Sequence, residues 1–366
     1  MSCSCSNSCK VPDKIKTWQM VEPGKLELKE IPVPELGDND VLVEVAGCGV
    51  CHTDLGYFYD GVPTVSKPPL TLGHEISGKV VAAGKNKGNM IGKEVIIPAV
   101  MPCNQCEICK SGRGNRCLFQ KMPGNSIGIY GGFSSHIPVP ADDLCIVTER
   151  KLPLEKIAVI ADAVTTPYQA AMRANIQKGD RVVVIGATGG VGTYMVQVAK
   201  ALGAASVVGM ARSVEKLARI KQYGCDFTIN IKDKTFKDIK EELKNYCKEN
   251  KLPHNYGWKI FEVTGTKFGQ ELGLELLSFV GKLVLVGYGM HKIEYMFSKV
   301  MAFDAEIIGT WGCLPKYYNN VLKMVNEGKI VMEPFVDVRP MSKIKEAFED
   351  AHSGKILQRI ILKPDF

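Results

Sequence analysis

The sequence predicts an α/β protein of two parts, a β-rich domain and a doubly wound parallel-sheet domain. Two changes of pattern predict this. From residue 16 to about residue 100 the chain reads as short strands punctuated by Pro and Gly. From about residue 154 strand and helix patterns alternate, as they do in a parallel sheet with crossover helices. The length of 366 residues supports the division, since one hydrophobic core stops growing at roughly 250–300 residues.

In the first part, strands are predicted at 25–33, 40–45, 76–83 and 94–98. In the second, Arg181–Ile185 is an apolar run short enough for a strand buried on both faces. A helix is predicted at 189–202, a strand at 206–210 and a helix at 214–223. Further strands fit 258–263, 282–286 and 306–309. The C-terminal stretch carries a helix at 342–352 and a strand at 358–362. Residues 1–14 read as a disordered Cys/Ser-rich tail, with Cys3, Cys5 and Cys9 as oxidation-prone thiols.

Composition narrows the function classes. Hydrophobic content of 45% and charged content of 23% are ordinary for a globular chain. No apolar run approaches the roughly 18 residues of a bilayer span, and MSCSCSNSCK lacks the apolar region of a secretory signal. Cytoplasm is the expected compartment, and the 13 cysteines read as reduced thiols and metal ligands. The net charge of +7 is dispersed, which fits a mildly basic solvated surface and no nucleic-acid or membrane partner.

Cys103-Asn-Gln-Cys106-Glu-Ile-Cys109, with Cys117 eight residues on, gathers four thiolates in a short segment. Zinc favours tetrahedral sulfur, and four thiolates leave no open position, so the site (about 101–118) is structural. Iron–sulfur ligation is the competing reading. Gly112 and Gly114 permit the turns that return Cys117 to the cluster. A second constellation, Cys51-His52-Thr53-Asp54 followed by Gly73-His74-Glu75, offers Cys51 and His74 as ligands of an open, catalytic metal site.

The order of these phrases resembles the zinc-dependent alcohol dehydrogenases of the medium-chain superfamily, from about Ile15 to the end. The resemblance implies a GroES-like catalytic domain over 15–160 and 313–366 and a Rossmann domain over 161–312. It implies Asp162 as third zinc ligand, Glu75 as a transient fourth, Asp54 as the group orienting a ligand, and Thr53 as acceptor of the alcohol proton. The histidine that usually continues the proton path is replaced by Gly56, followed by Tyr57, Phe58 and Tyr59. That aromatic run, with Trp311, is a candidate wall for a ring-shaped substrate. A homo-oligomer, dimer or tetramer, is implied as well. With a dehydrogenase hinge beside it, the four-cysteine lobe is read as zinc.

After the strand Arg181–Ile185 comes Gly186-Ala-Thr-Gly189-Gly190-Val191-Gly192, leading into a helix. Glycines there let the backbone approach a pyrophosphate at the helix N-terminus. The resemblance adds His52, Thr166, Thr264, Val286 and Gly287 to the cofactor contacts. Ala211 stands where an NAD enzyme usually has an acid, and Arg212 follows, which favours NADP or dual use. Longer phrases, among them CHTDLGYFYDGVPT, KPPLTLGHEISG, QKMPGNSIGIYGGFSSHI and FDAEIIGTWGCLP, resemble a branch of the family with an acyl-CoA substrate. That branch oxidises the ring alcohol of 6-hydroxycyclohex-1-ene-1-carbonyl-CoA to the 6-oxo compound, with NAD, in anaerobic aromatic degradation. A dehydrogenase of small free secondary alcohols is the alternative. A non-catalytic nucleotide-sensing zinc protein is remote, because all three catalytic ligands have candidates.

Overall fold

The computed structural model describes residues 11–354 and 356–366. Cys3, Cys5 and Cys9 lie outside the described residues. The elements, in order, are β1 (Lys14–Glu22), β2 (Lys25–Pro32), β3 (Asp40–Gly49), α1 (His52–Tyr59), β4 (Leu70–Thr71), β5 (Glu75–Ala83), β6 (Glu94–Ile97), α2 (Glu107–Lys110), β7 (His136–Pro140) and β8 (Cys145–Ile146). Then come α3 (Thr165–Ala174), β9 (Arg181–Ile185), α4 (Gly192–Ala201), β10 (Ser206–Ala211), α5 (Val214–Ile220), β11 (Phe227–Asn230), α6 (Phe236–Glu249), β12 (Trp258–Glu262), α7 (Lys267–Glu275), β13 (Lys282–Leu285), α8 (Ser298–Ala302) and β14 (Glu306–Gly309). The chain closes with α9 (Tyr318–Asn326), β15 (Val336–Pro340), α10 (Ile344–His352) and β16 (Arg359–Lys363).

These elements form two units. One runs to Asp162 and takes in Leu314–Asn319 and Phe335–Phe366; the other comprises Ala163–Cys313 and Asn320–Pro334. The expected return of the chain to the first domain over 313–366 is therefore interrupted at 320–334. The physical reason is a set of polar ties. Gln197 donates to the Val331 carbonyl at 3.1 Å and accepts from the Val331 N–H at 2.7 Å. Arg219 donates to the Pro334 carbonyl.

In the first unit β3 is the central strand. It pairs antiparallel with β5 along its length, with β7 over its first half and with β16 at its end. Two register shifts, between Leu42 and Val43 and between Val45 and Gly47, bend it. Its alternate residues serve different cores: Val41, Val43 and Val45 pack in the main cluster, and Leu42 packs against Ile15 and Val81 on the other face. The long segment Leu154–Ala161 lies across β5 and β3, fixed by a bond from the Ser77 hydroxyl to the Leu154 carbonyl at 2.6 Å.

The second unit holds a parallel sheet in the order β11-β10-β9-β12-β13-β14. The strand order reverses between β9 and β12, which opens a crevice at the carboxyl ends of those strands. The predicted strands Arg181–Ile185 and Glu306–Gly309 occur at those bounds, and β14 is the edge strand. The helix expected from residue 189 begins at Gly192, because Gly189 closes a turn onto the Gly186 carbonyl at 3.0 Å. Thr235 caps α6 reciprocally with Asp238, its hydroxyl accepting from the Asp238 N–H at 3.3 Å.

Phe348 joins α10 to α1 and to the stretch before β7. It is fully buried, with its ring 5.3 Å from Phe58 and 5.6 Å from Phe133 in edge-on contacts. Replacing it by alanine is expected to lower the free energy of unfolding by about 3–5 kcal/mol, read as a shifted urea transition.

Candidate functional site

Strand register brings the first cluster together. Gly49, the last residue of β3, pairs with Glu75, the first of β5. Cys51 lies two residues past one and His74 one residue before the other, so antiparallel pairing sets them side by side. Asp162 enters at the end of Leu154–Ala161. Its approach is fixed by Tyr318, whose buried hydroxyl donates to the Ala161 carbonyl at 2.5 Å and accepts from the Ala99 N–H at 3.1 Å. One ligand atom each of Cys51, His74, Glu75 and Asp162 falls within 4.8 Å of the others. Cys51 Sγ is 3.6 Å from Asp162 Oδ2, and His74 Nε2 is 3.5 Å from the same oxygen. Thr53 Oγ1 stands 3.6 Å from Cys51 Sγ.

Asp54 ties the two loops of this cluster together. One of its carboxylate oxygens accepts the Cys51 N–H at 3.0 Å and the other the Gly73 N–H at 2.9 Å. His74 Nδ1 is 3.3 Å from Asp54 Oδ1, in ion-pair range but off the line of a hydrogen bond. Burial works against a charged His74 ring; the negative charges of Asp54 and Cys51 outweigh it and hold its pKa well above the ordinary value.

One participant has no sequence signal. Arg359, the first residue of β16, donates two bonds to the fully buried Glu75 carboxylate, at 2.7 and 2.5 Å. Burial pushes the Glu75 pKa up to about 7, and Arg359 opposes that rise. Arg359 lies 284 positions from Glu75, and only the pairing of Ile361 with Gly49 delivers it there. Glycine is required at 49, since a Cβ would stand 2.0 Å from Glu75 Oε2. Around the Arg359 guanidinium and the His74 ring stand the carboxylates of Asp54, Glu75 and Asp162 and the Cys51 sulfur. Imidazole, thiolate and carboxylate are the donor types that zinc takes.

The second cluster is closed. Four sulfurs about 2.3 Å from a tetrahedral centre stand about 3.8 Å apart. Here Cys103 and Cys109 are 3.9 Å apart, Cys106 and Cys109 3.5 Å, and Cys106 and Cys117 3.8 Å. Backbone amides favour thiolates: the Cys117 sulfur accepts the N–H of Cys103 and of Phe119 at 3.3 and 3.2 Å. The Cys106 pKa falls to about 6, chiefly through the Cys109 amide, whereas burial pushes Cys109 up to about 12 and outweighs the two amides at Cys117. Gly112 has φ +80°, as the turn demands. Gly114 has no such φ; a Cβ there would press on Pro102 at 3.3 Å.

In the second unit, Gly186 adopts φ +87°, and a Cβ on it would stand 2.5 Å from Thr264 Cγ2. A Cβ on Gly192 would meet the Gly186 carbonyl at 2.0 Å, so the helix can sit this close to its strand only with glycine. Gly189 and Gly190 are exposed ahead of α4. Thr264, Val286 and Gly287 follow β12 and β13 at the same end of the sheet, forming one rim of the crevice. Thr166 is buried in α3, and Val191 precedes α4 as its cap. Ala211 ends β10, with Arg212 exposed after it. His52 belongs to the first unit, where it opens α1 with its side chain exposed.

The aromatic run divides among different faces. Phe58 is a core residue against Phe348, and Tyr59 turns outward onto His352 at 4.3 Å. Tyr57 is buried, its hydroxyl accepting from Asn125 Nδ2 at 2.7 Å. Trp311 lies in the second unit. The helical period of α1 dictates this, because successive residues point to different faces.

Comparison with known proteins gives the class. Residues 37–149 match the family described as alcohol dehydrogenase GroES-like domain, and residues 190–327 match zinc-binding dehydrogenase. An alcohol dehydrogenase of Geobacillus stearothermophilus is 31% identical over 345 residues, covering 92% of this chain and 95% of the relative. A sorbitol dehydrogenase of Rattus norvegicus is 30% identical, covering 94% of each chain. The solved structure of acetophenone reductase from Geotrichum candidum in complex with NAD is 25% identical, with a TM-score of 0.83 over 97% of this chain and 98% of that one. The chain belongs to the zinc-type alcohol dehydrogenases, oxidoreductases that act on CH–OH groups with zinc and a nicotinamide cofactor.

Replacing Arg359 by methionine strands the buried Glu75 carboxylate without its cation. Breaking such a pair costs about 3–5 kcal/mol, so R359M is expected to unfold at markedly lower urea than the wild type.

Proposed function

We propose that Cys51, His74 and Asp162 hold a catalytic zinc ion, with Glu75 as an exchangeable fourth ligand, and that Cys103, Cys106, Cys109 and Cys117 hold a structural one. The convergence of four ligand atoms within 4.8 Å, on a buried carboxylate that clamps two of the loops, carries this reading. When bound, the catalytic zinc supplies Lewis acidity toward an alcohol oxygen, and the dinucleotide accepts hydride. Asp54 fixes the backbone of Cys51 and the loop before His74. Thr53 takes the alcohol proton, and with Gly56 in place of a histidine that proton leaves by a route outside the usual relay.

The cofactor is a nicotinamide dinucleotide lying over Gly186, Gly189, Gly190, Val191 and Gly192. His52, Thr166, Thr264, Val286 and Gly287 are further contacts, and Arg212 is free to meet a 2′-phosphate. NAD is the first choice, from the branch resemblance. The substrate is the ring alcohol of 6-hydroxycyclohex-1-ene-1-carbonyl-CoA; the long phrases shared with that branch support it, as does a net charge of +7 toward an anionic thioester. A second reading, a free secondary alcohol or polyol, draws support from the sorbitol dehydrogenase relative. The open edge at β14, near the exposed Met296, Phe297 and Met301, suits a homo-oligomer.

Alanine at Cys51 or Asp162 is expected to remove one of two zinc ions per chain, measured by elemental analysis, together with turnover. Full turnover with one zinc per chain would sink the assignment. Steady-state rates with NAD and NADP are expected to favour the CoA thioester over sorbitol and propan-2-ol by at least about tenfold in kcat/KM. Equal rates on the free alcohols would select the second reading.

A further inference from the structure

Glu262 ends β12 at the floor of the crevice and is fully buried. Among the described residues, the donors that meet it are neutral. Its side chain accepts the Thr264 N–H at 2.7 Å, the Thr264 hydroxyl, and the Gly265 N–H at 3.2 Å from each oxygen. Its backbone carbonyl accepts the N–H of Val286 at 2.9 Å and of Gly287 at 3.0 Å. One residue thus takes donors from the loop after β12 and from the loop after β13. Burial pushes its pKa up, and the Thr264 and Gly265 donors draw it back.

A carboxylate so buried needs an offset. A Cβ on Gly269 would stand 2.7 Å from Glu262 Oε1, so the carboxylate lies against the first turn of α7. The positive end of a helix favours negative charge there. The Thr264 hydroxyl continues the tie: it is 2.8 Å from the hydroxyl of Thr266, which caps α7 by accepting the Gly269 N–H at 3.1 Å.

Crowding makes this dipeptide the meeting point of three loops. A Cβ on Gly186 would stand 2.5 Å from Thr264 Cγ2, one on Gly287 2.1 Å from the Gly265 nitrogen, and one on Gly289 1.9 Å from the Gly265 carbonyl oxygen. The loops after β9, β12 and β13 therefore rest on Thr264–Gly265, whose amides Glu262 holds. A shift of that turn displaces both neighbours.

We propose that Glu262 is the positioning residue of the cofactor cradle: its carboxylate fixes the Thr264–Gly265 turn and so sets affinity for the dinucleotide without touching it. The proposal rests on the reading that this unit binds a nicotinamide dinucleotide. Glu262→Gln keeps the size of the side chain but turns an amide donor where an acceptor stood. Thr266→Val removes the hydroxyl to which the Thr264 hydroxyl is tied, and Thr266→Ser keeps it.

The test is direct binding of NADH and NADPH to the zinc-loaded protein, followed by fluorescence, with folding checked by circular dichroism. E262Q is expected to raise Kd about 10- to 100-fold, the size expected for losing a charged hydrogen bond. KM for the cofactor rises with it, while kcat at saturating cofactor falls less than about threefold. T266V raises Kd and T266S stays within about twofold of the wild type. Wild-type affinity in a folded E262Q, or equal weakening by T266V and T266S, overturns the proposal. Should E262Q not fold, the two Thr266 variants decide. A wild type that binds neither nucleotide removes the dinucleotide reading and this one with it, whereas normal wild-type binding with unaltered variants removes only the role of Glu262.

Discussion

The Asp54 carboxylate is the interaction on which the catalytic half depends. It is completely buried, a placement that costs several kcal/mol for a charge without partners. Its partners are the amides of Cys51 and Gly73, one from the loop that leaves β3 and one from the loop that enters β5. Sheet pairing of Gly49 with Glu75 brings these loops near each other; the carboxylate fixes their backbones at hydrogen-bond distance. Gly73 makes the close approach possible. Its φ is +94°, and a Cβ would stand 2.7 Å from Cys48 Sγ.

The two metal-type clusters use opposite electrostatic designs. Around Cys103, Cys106, Cys109 and Cys117, backbone amides lower the cost of thiolates and the four sulfurs close upon one centre. Around Cys51, His74 and Asp162 the donors differ in kind, and the fourth, Glu75, is held by Arg359. A carboxylate engaged by two guanidinium bonds is a weaker competitor for a metal than a free one, because both oxygens are already in use. In the proposed zinc site this arrangement would keep one coordination position contestable, as chemistry at a metal requires.

Much of this is legible in the amino-acid sequence. The strand Arg181–Ile185 announces itself by an unbroken apolar run, the glycines after it by their place between strand and helix, and the cysteine lobe by its spacing. What escapes a reading of the sequence is long-range. Arg359 sits in a short apolar strand, where an isolated arginine carries no periodic signal, and it reaches Glu75 only because β16 pairs with the end of β3. The excursion of 320–334 into the second unit rests on the side chain of Gln197, a tie no local pattern encodes. Tyr57, Phe58 and Tyr59 are plainly aromatic, but which face each occupies follows from what α10 places opposite them.

Glu262 extends the logic of Asp54 to the second unit. Both are fully buried carboxylates satisfied largely by backbone amides of a neighbouring loop. A side-chain anion holds an amide more firmly than a carbonyl does, because a hydrogen bond to a charged acceptor is roughly twice as strong. Its position is also set by the strand or helix that carries it. A loop fastened this way approaches its ligand already ordered, so less entropy is lost on binding. The cost is a buried charge that tolerates no misplacement; beside Glu262 the spatial side of that constraint is Gly269, where a Cβ would stand 2.7 Å from Oε1.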